Sequence, residues 1–142
     1  AARLASGAIS FEQVGNLLSN EVVSIPYQKA VKEGNLLKGN ISILDIQYGN
    51  IWTNIPAEMV QQIGLKYGQS LSLRIFHKGV KVWEGQAPYC ETFGAVAKGK
   101  PLVYLNSLMQ LSIALNMGSF AETFHVGSGS EWSISAQIVE KK

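Results

Sequence analysis

Leu71-Ser72-Leu73-Arg74-Ile75-Phe76-His77-Lys78-Gly79-Val80-Lys81-Val82-Trp83 is the stretch that decides how the rest of the chain is read. Leu71, Leu73 and Ile75 alternate with Ser72, Arg74 and Phe76, which is the two-residue period of a strand lying on a core. Lys78-Gly79 breaks the pattern, and Val80, Val82 and Trp83 resume it. Two β-rich runs joined by a short turn containing glycine predict a β-hairpin.

Working outward, the same period appears on both sides. Over residues 40–46, Ile41, Ile43 and Asp45 are expected on one face and Ser42, Leu44 and Ile46 on the other, a pattern apolar on much of both faces and so central in a sheet. Pro56 opens a short helix through Ala57, Met59, Val60 and Ile63, which Gly64 ends. Beyond the hairpin, residues 88–100 are rich in turn formers, and residues 102–106 and 111–116 read as two more strands. Ser119 opens a helical turn holding Phe120, Ala121 and Phe124, and residues 132–139 alternate again. Gly127-Ser128-Gly129-Ser130 precedes a strand rather than a helix, so it is read as a turn and not as a phosphate loop. The expected fold is mainly β, a small antiparallel barrel or sandwich of about six or seven strands with two short helices.

The N-terminal part reads differently. Ala1, Ala2, Arg3, Leu4 and Ala5 favour helix and Ser6-Gly7 stops it, as at the end of a helix begun upstream. Ser10 and Gln13 have capping-box spacing and open a short helix through Phe11, Val14, Leu17 and Leu18. Val22-Val23-Ser24-Ile25-Pro26-Tyr27 is extended. Residues 1–27 are therefore read as the end of an N-terminal domain plus a linker arm, and residues 28–142 as the barrel domain. Residues 28–39, with four charges and two glycines, form a hairpin-like or loop boundary.

Composition bounds the function. The chain has 142 residues, 46% apolar and 15% charged, enough for one folded core. Its 12 basic and 10 acidic residues show no run of one sign, which argues against a nucleic-acid or membrane-surface partner. The single Cys90 has no internal disulfide partner, and a reducing, cytoplasmic setting is expected. Beside Tyr89 in apolar company, Cys90 reads as packing rather than as a nucleophile. His77 and His125 have no Cys, Asp or Glu at metal-ligand spacing, so no metal is expected and both read as solvated.

The chemistry concentrates in Leu44-Asp45-Ile46-Gln47-Tyr48-Gly49-Asn50-Ile51-Trp52-Thr53-Asn54-Ile55-Pro56. Polar side chains with strong hydrogen-bonding needs lie between strand-like aliphatic residues, and Gly49 permits a bend or close approach. A bulged strand end with an Asn-stabilised turn accounts for this pattern as well as a site does. Tyr89 to Phe93, and Asn106-Ser107 with Asn116, repeat the combination of polar and aromatic groups. Aromatic faces, an Asn amide and a carboxylate together suit a flat heterocycle and an ammonium group, as in a nucleoside bearing an amino acid. A non-catalytic nucleoside-binding or oligomerising barrel fits the same residues.

The run from Asp45 to Pro56, Thr92-Phe93, Gly99-Lys100-Pro101-Leu102-Val103-Tyr104-Leu105-Asn106-Ser107, and Ala114-Leu115-Asn116-Met117-Gly118-Ser119-Phe120-Ala121-Glu122 together resemble the C-terminal domain of the S-adenosyl-L-methionine hydroxide adenosyltransferase family, which includes the fluorinase and chlorinase. The resemblance covers residues 1–139. It implies a preceding N-terminal α/β domain, a trimeric assembly, and attack of water or halide on the ribose C5′ of S-adenosylmethionine with loss of methionine. It implies that the substrate lies between the N-terminal domain of one subunit and the C-terminal domain of the next, with no cofactor besides this substrate and no catalytic residue in this chain. By the same resemblance Asp45 and Ser107 hold the methionine ammonium group, and Asn50 bonds the adenine edge. Tyr48 and Phe93 flank the ring, the backbone at Met117 with neighbouring Asn116 completes adenine recognition, and Trp52 forms wall. Leu108 and Leu115 stand where the fluorinase has arginines, so hydroxide rather than halide is the expected nucleophile.

Overall fold

Residues 1–139 are described by the computed structural model; residues 140–142, the end of the expected barrel range, lie outside the described residues. The hairpin is β4 (Ser70–His77) paired antiparallel with β5 (Val80–Pro88). Lys78 and Gly79 both have positive φ, 51° and 79°, the geometry whose twist matches that of paired strands. Leu71, Leu73 and Ile75 are fully buried, as their alternation requires. A register shift between Ile75 and Phe76 inserts an extra residue opposite the turn, and Val80 and Val82 end exposed.

Eight strands occur among the described residues, against the six or seven expected. They comprise β1 (Val31–Glu33), β2 (Leu36–Asp45), β3 (Asn50–Pro56), β4, β5, β6 (Pro101–Leu105), β7 (Gln110–Leu115) and β8 (Trp132–Ile138). The sheet runs β5-β4-β8-β2-β3-β7-β6, with β1 paired to β2. Tyr89 bridges Val103 in parallel, and the Cys90 N–H donates to the Val103 carbonyl at 2.8 Å, which joins the β5 end of the sheet to β6 and nearly closes a barrel. Such closure leaves few unpaired strand edges.

The extra strand came from the stretch read as a hairpin-like or loop boundary, where a hairpin forms, β1 pairing antiparallel with the start of β2. β2 begins at Leu36, Leu37 is fully buried, and Gly34 turns the chain back from β1 with φ +58°. Charges and glycines there obscured a period that is nonetheless sheet-like. β2 is central, as expected, but its faces are not those expected. A bulge between Ile41 and Ile43 shifts the register, so Ile41 is buried, Ile43 is exposed and Leu44 packs on the core instead.

Both expected helices in the barrel form. α2 (Ala57–Gln62) follows Pro56, and α3 (Phe120–Phe124) follows Ser119, whose side chain accepts from the Glu122 N–H at 3.1 Å. α3 packs Phe120 and Phe124 against Trp83, with centroids 4.9 and 5.4 Å away. A third helix, α1 (Ala2–Ala5), ends before Gly7 at φ +72°. The longer helix expected through Leu18 does not form. Phe11–Gln13 make one 3-10 turn, with the Ser10 N–H donating to Gln13 Oε1 at 2.9 Å, and Leu17 and Leu18 are exposed. One turn gains too few hydrogen bonds to propagate without packing.

Candidate functional site

A cavity of about 570 Å³ opens where the β2–β3 turn meets the start of α3. Its position follows from one backbone approach. Gly49 has φ +69°, and its carbonyl accepts from the Ala121 N–H at 2.9 Å. A side chain there would collide with Ser119, so the glycine lets the turn lie against α3. The Gly49 N–H and the Tyr48 N–H both return to the Asp45 carbonyl, at 2.7 and 3.2 Å, closing the turn.

Four of the residues expected to bind ligand line this cavity: Tyr48, Asn50, Phe93 and Met117. Asn50 is buried at 4% exposure, while Tyr48 and Met117 stand out at 62% and 76%. Asp45 pairs with Asn50 across the β2–β3 ladder, and Asn50 Nδ2 donates to Asp45 Oδ2 at 3.2 Å. That bond fixes which way the amide faces and leaves Asn50 Oδ1 and one N–H for another partner. Met117 has φ +54°, which turns the chain between β7 and α3.

Asp45, Ser107 and Asn116 are not among the lining residues. Ser107 is exposed in the turn between β6 and β7, at the end of β7 opposite Leu115. Asn116 is committed elsewhere, its Nδ2 donating to the Val96 carbonyl at 2.7 Å and holding the loop that carries Phe93. The polar residues around them are likewise structural. Asn106 Oδ1 accepts from the Leu108 and Gln110 N–H groups, and its Nδ2 donates to Ser112 Oγ at 3.0 Å. Asn54 Oδ1 accepts from the Asn40 N–H, and its Nδ2 donates to the Gln28 carbonyl. The bulged-strand and turn account thus holds for Asn54 and Asn106, while Asn50 faces the cavity.

Tyr104 is the residue that sequence reasoning left without a role. Tyr104 and Trp52 both pair with Ser112, which sets them on one face, on the two strands that flank β7, and Trp52 Nε1 donates to Tyr104 Oη at 3.2 Å. The Phe93 ring lies against the Tyr104 ring with centroids 5.0 Å apart. Burial pushes the Tyr104 phenol above its ordinary range, and the hydrogen bond from the Trp52 indole opposes this. The alternation around Tyr104 placed it in a strand, but pairing across two ladders is invisible without register. Leu115, Ser119 and Glu122 also border the cavity, which suits a ligand carrying positive charge, since no lysine or arginine lies among its lining residues.

Cys90 is buried, its Sγ donates to the Pro88 carbonyl at 3.5 Å, and burial raises its pKa, which agrees with packing. His77 stacks on Trp132 at 4.3 Å with Nε2 3.6 Å from Glu131, so it is partnered rather than freely solvated. No group of three or more His, Cys, Asp or Glu able to hold a metal occurs among the described residues, and no helix there is long and apolar enough to cross a membrane.

The fold is thus a nearly closed antiparallel β-barrel with an open cleft bordered by the oriented Asn50 amide, the aromatic Tyr48 and Phe93 and the Glu122 carboxylate. The chain belongs to the SAM hydroxide adenosyltransferase C-terminal domain family, whose model matches residues 39–133. It is 33% identical over 131 residues to a fluorinase of Actinopolyspora mzabensis and 31% identical over 131 residues to one of Actinoplanes sp. (strain N902-109), covering 90% of this chain and 42% of each relative. An uncharacterized conserved protein of Thermotoga maritima has a similar structure, with TM-score 0.73 and 30% identity over 96% of this chain and 48% of that one. A conserved hypothetical protein of Thermus thermophilus follows at TM-score 0.56 and 25% identity, over 97% of this chain and 48% of the other. The chain thus spans less than half the length of these relatives.

Proposed function

We propose that this chain is one wall of a site that cleaves S-adenosylmethionine to adenosine and L-methionine, with water or hydroxide as nucleophile. The observation that carries the reading is the buried Asn50 amide, turned by Asp45 into a cavity between Tyr48 and Phe93. A planar heterocycle with donors and acceptors on its edge meets these demands: the rings supply stacking and the amide supplies an edge bond. Asp45 and Ser107 are assigned to the methionine ammonium group, and the backbone at Met117 to the second edge contact of adenine.

The mechanism follows from charge. The oxygen nucleophile attacks C5′, the C5′–S bond breaks, its electron pair neutralises the sulfonium, and the attacking water gives up a proton to become the 5′-hydroxyl. When hydroxide attacks, charge is neutralised in the transition state, so a shaped site that excludes bulk water favours the step. This chain contributes shape and orientation. The opposite wall and the groups that position the water come from an N-terminal domain, of the same or a neighbouring subunit in a trimer.

The fluorinase relatives favour a second reading, in which a halide attacks. Leu115 counts against it, because this apolar side chain stands at the cavity where the resemblance to the fluorinase would place an arginine. Adenosine formation is assayed with the chain alone, with a separately expressed N-terminal domain, and with both, in the presence and absence of fluoride and chloride. The reading expects adenosine from the pair and almost none from the chain alone. Equal rates with and without the second domain would make this barrel the whole enzyme, and 5′-halogenated product would replace hydroxide by halide. No turnover by the pair would overturn the reading.

A further inference from the structure

We propose that Glu122 is a specificity residue of the cavity, which with Asn50 selects a base carrying an exocyclic amine over one carrying a carbonyl at the same position; this rests on the nucleoside reading given above. Among the described residues that line the cavity, Glu122 alone is charged. It is exposed, and its carboxylate takes part in no hydrogen bond or ion pair among the described residues, whose ion pairs use Glu33, Glu84 and Glu131. Its backbone, by contrast, is fixed. The Glu122 N–H donates to Ser119 Oγ at 3.1 Å, and the N–H of neighbouring Ala121 donates to the Gly49 carbonyl at 2.9 Å. Gly49 precedes Asn50, so one short backbone bridge holds the two residues in a set relation on the same cavity.

Both side chains then present acceptors. A carboxylate only accepts, so the bond from Asn50 Nδ2 to Asp45 Oδ2 forbids the flipped amide, in which the carbonyl would face Asp45. Asn50 keeps Oδ1 as an acceptor beside one remaining N–H, and Glu122 adds acceptors alone. An exocyclic amine has two N–H donors and answers both residues, while the Asn50 N–H meets an unprotonated ring nitrogen next to the amine. A carbonyl in place of the amine turns lone pairs toward the carboxylate and leaves both acceptors without a donor. Position in the fold agrees. Glu122 follows Met117, assigned to the adenine edge, after the Gly118-Ser119 turn, whereas the turn that carries Ser107 lies at the opposite end of β7. The Glu122 carboxylate therefore belongs with the base, and Asp45 keeps its assignment to the ammonium group.

Affinities of adenosine, inosine and purine riboside are measured for the chain and for Glu122→Gln. Inosine has a carbonyl in place of the amine, and purine riboside has hydrogen there. The chain is expected to prefer adenosine over inosine by about tenfold or more, since a site built to accept an N–H rejects the analogue without it. Purine riboside, which loses the donors without adding a clash, should fall between the two. Glutamine keeps the side-chain length and can turn its amide to donate to a carbonyl. Glu122→Gln should therefore weaken adenosine and strengthen inosine together, cutting the preference about three- to tenfold, with purine riboside changed by less than about twofold. Equal losses for all three nucleosides would mark Glu122 as structural, and an unchanged preference would remove it from the base; either result overturns the proposal and leaves the nucleoside reading standing. Failure of all three to bind the chain would reject that reading and the proposal with it.

Discussion

The Cα of Ser119 lies 2.6 Å from the point where a Cβ on Gly49 would stand. Ser119 Oγ and Cβ stand closer still, so backbone as well as side chain blocks that space, and Gly49 has φ +69°; two independent penalties act on any substitution. Gly49→Ala is expected to destabilise the fold by about 2–4 kcal/mol, the sum of a left-handed backbone cost and an overpacking cost. Denaturant unfolding measures it. A change below about 0.5 kcal/mol would mean that the turn does not sit against α3.

Tyr89 gives an alkaline prediction. It is buried at the seam that joins β5 to β6, stacks on Tyr67 at 4.6 Å, and has its pKa pushed from 10 to about 12, chiefly by burial and then by donating to Tyr67. The fold favours the neutral phenol, so this contribution is fully present below pH 10 and is lost as pH rises through about 12. Unfolding free energy should fall over that window, and Tyr89→Phe should flatten the fall. Tyrosinate absorbance showing Tyr89 ionised with the exposed tyrosines would contradict the prediction.

Asp45→Asn separates the two ends of the proposed ligand. The introduced amide still offers an oxygen to Asn50, but the charge is gone. Binding of S-adenosylmethionine should weaken by about 1.5–3 kcal/mol and that of adenosine far less, because a charge-assisted bond to the ammonium group exists only in the former. Calorimetry giving equal losses for both ligands would make Asp45 a structural partner of Asn50 and nothing more.

How much of this was legible in the sequence depended on whether a local pattern carried it. The β4–β5 hairpin was readable because Leu71, Leu73 and Ile75 alternate up to a Lys-Gly turn, and both are local properties. The caps of α2 and α3, at Pro56 and Ser119, were readable for the same reason. The β2 bulge was not, since it depends on pairing with β3, and it reverses the faces of Ile43 and Leu44. β1 and the start of β2 were hidden by Gly34 and Gly39; the latter is a glycine because a Cβ would meet the Asn54 and Ile55 side chains. At the cavity, Asn50 and Phe93 were found through the motifs that carry the family resemblance. The Tyr104 ring behind Phe93, bonded to Trp52, needed the register of three strands, and the bond from Asn116 to the Val96 carbonyl needed a fold that brings β7 to the loop of Phe93.

The central claim is that Asn50, held by Asp45, reads the edge of an adenine ring lying between Tyr48 and Phe93. Its most direct test is adenosine and methionine binding by Asn50→Ala, with Phe93→Leu beside it. The account predicts that Asn50→Ala loses about 1–3 kcal/mol of adenosine affinity with methionine binding unchanged, and that Phe93→Leu, which keeps apolar area and loses stacking alone, costs about 0.5–1.5 kcal/mol. Adenosine binding to Asn50→Ala with undiminished affinity would contradict it.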